Sequence, residues 1–352
     1  MKYRGIVYDV GLNFGGTNLS VPSFDINLVK YDMHAIAHDL HANAVRIEGE
    51  EISRLITATR VACSEGLTVF FNPWKMEVGV EETRAYLEEA AEAAETLRDD
   101  GMDIIFIASC EYTIFNKGVF PGDSFNDRVT WFGTQLAGNP PDAKHIAESV
   151  REKSPKLNEI LRSFVESVRR KFRGQVTYSA GTWELVDWSI FDIVGIDYYR
   201  RGESEEEYVA GLDLYRHGKP LVVIEFGCCA YDGAAKRGDG GFALLKGTNP
   251  DGTGKFKDDV VPIRSEREQA DYVGTQLKLF AGADVHATFV FLFSFPLMPL
   301  GEGASDMDMM SFSLVKTLPS QSPTSKIMPP WEPKEAFHRI ADIYKRMAEA
   351  TV

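Results

Sequence analysis

Two glutamates stand where apolar runs stop. Glu111 follows Ile104-Ile105-Phe106-Ile107-Ala108-Ser109-Cys110, and Glu225 follows Leu221-Val222-Val223-Ile224 and precedes Phe226-Gly227. A carboxylate at the end of such a run is costly to bury without a task or a partner. If the two runs are strands whose ends face each other across a barrel mouth, Glu111 and Glu225 converge on one ligand. Two converging carboxylates suit glycosidic cleavage. One, with a raised pKa, protonates the leaving oxygen, and the other captures the oxocarbenium-like carbon. The competing reading makes both glutamates acceptors in buried salt bridges.

The surrounding sequence predicts the elements that would hold them. Eight short apolar, β-branched runs recur: Gly5–Tyr8, Ala44–Ile47, Leu67–Phe71, Ile104–Ala108, Val176–Ala180, Ile193–Ile196, Leu221–Ile224 and Ala287–Phe293. They are continuous rather than alternating, the pattern of parallel strands buried on both faces. Helical spacing marks Asp25–Leu40, Glu81–Arg98, Ala143–Phe172, Glu266–Phe280 and Pro333–Ala348. This alternation predicts an α/β fold, a (β/α)8 TIM barrel, as a single domain over residues 1–352. The long connections Phe115–Pro141, Gly227–Pro262 and Leu297–Pro330 follow strands four, seven and eight. They leave the C-terminal strand ends, where barrel active sites are built.

Composition narrows the classes. With 52 acidic against 38 basic residues and a net charge of −14, no basic face for nucleic acid is expected. Four cysteines do not make a disulfide framework. No long apolar leader is visible, and Ala287–Leu300 is too short for a bilayer, so a cytoplasmic protein with no membrane partner is the expectation.

With residues of these types in these places, the chain resembles the retaining glycoside hydrolases built on a (β/α)8 barrel, in their endo-β-mannanase-like and cellulase-like branch. The resemblance implies Glu111 as acid/base, Glu225 as nucleophile, and no metal or organic cofactor. Ala44-Val45-Arg46-Ile47 resembles that clan's strand two, where Arg46 would keep Glu225 ionised. An ion pair of Arg46 with Glu48 or Glu50 is the alternative. Phe191 to Tyr199 resembles strand six, which implies a nucleophile contact from Tyr199, or else Tyr198. Trp74, Trp183 and Trp188 could stack on a sugar face or simply pack in the core. Asp9, Asn72, Glu184 and Asp187 are weaker candidates for polar contacts. The chain also departs from the clan. Cys110 stands where an asparagine usually contacts the sugar 2-hydroxyl, and a thiol is a weak donor and acceptor. That points away from an ordinary 2-hydroxy sugar, or to an altered mechanism. Phe291-Leu292-Phe293-Ser294-Phe295 replaces the usual strand-eight tryptophan. Arg200 and Arg201 add two cations, for an anionic ligand group or for solvent.

Other chemistries have less support. His34 and His38 have the i,i+4 spacing of a zinc pair, but they precede strand two, away from the mouth, and read as solvated surface residues. No histidine is placed by sequence to activate Cys110 or Cys228. Two further function classes stay open. One is an intracellular barrel using the same glutamates for non-hydrolytic acid/base chemistry on a small specialised metabolite. The other is a glycosidase-like barrel that only binds. In each case the partner is a small-molecule glycoside or metabolite, and oligomerisation is left open.

Overall fold

A computed structural model describes residues 1–14, 18–136 and 146–350. Eight parallel strands close into a barrel: β1 (Tyr3–Asp9), β2 (Ala44–Gly49), β3 (Thr68–Pro73), β4 (Ile104–Cys110), β5 (Val176–Gly181), β6 (Val194–Asp197), β7 (Leu221–Phe226) and β8 (Ala287–Val290). Each pairs with its chain neighbour, and β8 returns to β1 in the register Tyr3↔Ala287. Every predicted apolar run falls on one of these strands. β8 ends at Val290 rather than Phe293, because the Leu292 and Phe293 carbonyls accept from Leu314 and Val315. The floor is packed shut. Phe70 and Phe289 meet inside it at 4.5 Å, and a Cβ on Gly5 would lie 2.2 Å from the Phe289 ring.

The helical prediction is right in outline and differs in detail. Ile26–His34 is capped by Asp25, and a π-helical turn, Ala35–Asp39, completes the expected segment. Helix Ile52–Ser64 was not predicted. Its buried side is Leu55, Ala58, Thr59 and Ala62, mostly small residues. Val80–Asp99, Glu266–Gly282 and Glu335–Glu349 lie where expected. In place of one helix over Ala143–Phe172 there are Glu148–Arg151 and Ser154–Lys171, with a proline at the second start. The segment's first residues, 143–145, lie outside the described residues. Between β5 and β6 the chain makes only the 3-10 turn Trp188–Ile190, so the alternation is not a full helix eight times over.

The long connections carry structure of their own. Phe125–Leu136 is helical within the one after β4, whose Gly138, Pro140 and Pro141 lie outside the described residues. The connection after β7 holds an antiparallel pair, Leu245–Thr248 with Gly254–Phe256. After β8, Val315–Thr317 pairs with Trp331–Pro333. Among the described residues, no helix is long and apolar enough to cross a membrane.

Candidate active site

Residues two apart on a strand share a face, so Arg46 and Glu48 both point into the barrel. The register sets Asp9, Glu48 and Asn72 side by side on β1, β2 and β3. Arg46 is fully buried among acceptors. Its Nη1 donates to Glu225 Oε1 at 2.6 Å, its Nη2 lies 2.9 Å from Glu48 Oε2, and its Nε donates to Asn72 Oδ1 at 2.9 Å. The two sequence alternatives for Arg46 are therefore both realised, since one guanidinium serves two carboxylates. Tyr199 donates its hydroxyl to the other Glu225 oxygen at 2.9 Å. Asn72 orients Arg46, while its Nδ2 has no partner among the described residues.

Glu111 has a different environment. Neither a cation nor a hydrogen-bond donor meets its carboxyl among the described residues. Burial, then the charges of Asp197 and Glu225, push that carboxyl well above the usual carboxylate range. Its backbone is unusual, with φ 38° at Glu111 and 79° at Ser109, a left-handed region that non-glycine residues rarely adopt. Three consecutive amides hold it there. Glu111 N donates to Ser179 O at 2.8 Å, Tyr112 N to the Tyr178 hydroxyl at 2.7 Å, and Thr113 N to Glu184 Oε1 at 3.0 Å. Glu184 also accepts from Thr113 Oγ1 (2.7 Å), the Tyr178 hydroxyl (2.8 Å) and Gly181 N (3.2 Å). The sequence marks Glu184 only as a weak polar candidate. In the structure it is the anchor of the turn that presents Glu111.

Asp197, at the end of β6, was not singled out from sequence. In the fold it pairs in register with Glu225. Asp197 Oδ1 accepts from Ser179 Oγ at 2.7 Å. Burial, then the Glu225 charge, raise its carboxyl well above the ordinary range. Cys110 sits between the two acids, with Sγ 3.8 Å from Asp197 Oδ2 and 3.7 Å from Glu225 Oε1. Burial and these neighbours push its thiol up, so it stays protonated and is no nucleophile.

Aromatic rings border this group on two sides. Trp74 meets Phe115 edge-on at 4.8 Å and packs with Leu12, Met76 and Cys110. Phe14 touches Phe115 and Phe295. Opposite, Phe312 contacts Tyr199, Phe291 and Phe242.

The sequence matches no family model and no curated protein. Solved structures do match. A GH113 β-1,4-mannanase complex aligns with TM-score 0.60 and 13% identity over 98% of this chain and 99% of that one. The GH113 β-mannanase of Alicyclobacillus acidocaldarius gives 0.57 and 13% over 99% and 98%. A Parabacteroides merdae β-glucuronidase gives 0.56 and 11%, over 98% of this chain but 38% of the larger one. The chain has the (β/α)8-barrel fold of these glycoside hydrolases.

Several expected contacts lie elsewhere on that barrel. Tyr198 turns outward, because its ring stacks on Tyr208 and its hydroxyl donates to the Tyr208 carbonyl at 2.8 Å. Trp183 is buried against Phe132, with Nε1 on Thr113 Oγ1 at 3.0 Å, and so braces the Glu111 turn rather than offering a face. Trp188 packs on Phe191, and Asp187 caps the 3-10 turn. Asp9 accepts from Gly11 N, burial pushes it up to about 6, and its Oδ2 has no partner among the described residues. The arginines after β6 are engaged, Arg201 bidentately with Asp239 and Arg200 with the Glu203 carbonyl. Cys110, Asp197 and Glu225 have ligand atoms within 4.8 Å of one another, but Arg46 already supplies the cation there.

Proposed function

We propose that this protein cleaves or transfers a glycosidic bond with retention, with Glu111 as acid/base and Glu225 as nucleophile. The supporting observation is the asymmetry of the pair. Glu225 accepts from the Arg46 guanidinium and the Tyr199 hydroxyl, whereas no such donor meets Glu111 among the described residues, and burial and negative neighbours push its carboxyl up. Glu225 attacks the anomeric carbon as Glu111 gives its proton to the leaving oxygen. Glu111, now a carboxylate, then takes a proton from water or an acceptor hydroxyl, whose oxygen displaces Glu225. The aromatic borders suit the apolar faces of sugar rings. The named activities of the structural neighbours make a β-linked mannoside or related small glycoside the first substrate class to try. In this reading the enzyme works in the cytoplasm and takes its glycoside with no metal or organic cofactor.

The test is a panel of aryl glycosides, with NMR of the first-formed anomer and Glu225→Gln as control. Retention, abolished by Glu225→Gln, is expected, together with a carboxyl separation of about 5–5.5 Å in a crystal structure. Inversion, with a separation of roughly 6.5–9.5 Å, would overturn the assignment of Glu225. The buried Cys110–Asp197 pair beside Glu225 favours a second reading, acid/base chemistry on a small metabolite without hydrolysis. Failure of every glycoside, with metabolite binding that depends on Glu225, would favour it.

A further inference from the structure

On the outer helical layer, far along the chain from the glutamates, two histidines converge on one carboxylate oxygen. His34 ends helix Ile26–His34, and His38 lies in the π-helical turn that follows. Their rings are 4.4 Å apart. His34 Nδ1 is 3.2 Å and His38 Nε2 is 2.9 Å from the same atom, Glu65 Oε2. Glu65 caps the C-terminus of helix Ile52–Ser64. The three ligand atoms lie within 4.8 Å of one another. The histidine side chains are 62% and 54% exposed, which leaves the remaining coordination positions to water.

We infer that His34, His38 and Glu65 form a surface site for a divalent transition metal of the zinc class, one that staples together the two helices flanking β2. Imidazole and carboxylate are the ligand types such ions take. Tetrahedral ligands at about 2.0–2.2 Å from zinc lie about 3.4 Å from each other. The observed nitrogen–oxygen distances of 3.2 and 2.9 Å need only a small outward movement, which exposed side chains can make. The π-helical turn adds a second local feature, since such turns recur at functional positions. Sequence spacing shows the histidine pair alone. The third ligand, from a helix beyond β2, appears only in the fold.

The test is calorimetric titration of EDTA-stripped, untagged full-length protein with zinc chloride, beside thermal melts with and without zinc. One equivalent should bind and raise the melting temperature. His34→Ala and His38→Ala, both exposed and tolerable to the fold, should each weaken binding at least tenfold and remove the thermal shift. Absence of zinc binding by the wild-type chain would overturn the site. So would binding unchanged in both variants. Binding lost in Glu225→Gln instead would move the ion to the barrel mouth and equally refute it.

Discussion

Replacing Glu184 with glutamine tests how Glu111 is held. Four donors converge on the two Glu184 oxygens: Thr113 N, Thr113 Oγ1, the Tyr178 hydroxyl and Gly181 N. In Glu184→Gln the amide oxygen can keep both Thr113 contacts. The amide nitrogen then faces Tyr178 and Gly181. The Tyr178 hydroxyl can rotate to accept, but the Gly181 N–H cannot and is left buried and unpaired. A stranded buried donor costs about 1–3 kcal/mol, which a urea melt resolves. Tyr178 also receives Tyr112 N, so the turn carrying Glu111 loosens from a backbone angle it would not adopt unsupported. Misplacing a catalytic group by about 1 Å can cost on the order of 100-fold in rate. The loss should depend on the leaving group. An aryl glycoside with a basic leaving group needs the Glu111 proton, so its kcat/KM should fall roughly 10–100-fold. One with an acidic leaving group departs without help and should lose much less. Equal losses on both, alongside the stability change, would show that Glu184 merely stabilises the barrel and would refute the argument.

Two other perturbations have definite expectations. Arg46→Met leaves the buried carboxyls of Glu48 and Glu225 without their shared cation, and should cost about 3–5 kcal/mol in a urea melt; an unchanged midpoint would contradict the pairing. Asp32, buried with Tyr8 and Trp331 on its two oxygens, is pushed up to about 7 by burial. The folded chain therefore keeps this proton longer than the unfolded one. The group's stabilising contribution is full below about pH 4 and declines as pH rises to 7, by ~4 kcal/mol in all. Asp32→Asn removes the decline, so its stability relative to wild type should rise between pH 5 and pH 8, and a difference that stays flat would refute the assignment.

The strands were legible because continuous apolar runs of strand length, rich in β-branched residues, fit two-sided parallel strands, and the two glutamates because their charges end those runs. Arg46 and Tyr199 were legible through resemblance, and the structure brings both onto Glu225. Asp197 and the anchoring role of Glu184 were not legible. Both depend on which strand ends become neighbours and on backbone amides of a turn, neither of which leaves a residue-type signature. Tyr198 and Tyr199 are adjacent, so alternation alone sends one inward and the other outward. Only the register decides which. Helix Ile52–Ser64 was legible but not read: Leu55, Ala58, Thr59 and Ala62 recur at helical spacing.

The grip of Arg46 on Glu225 joins residues 179 positions apart. At roughly 5–20 residues per second of synthesis, about 10–35 s pass between the appearance of one partner and the other. Throughout that interval the guanidinium has Glu48 of its own strand but no strand-seven carboxylate to meet. The reactive centre is then assembled late in the life of the nascent chain, and a ribosome stalled before Glu225 releases a product without it.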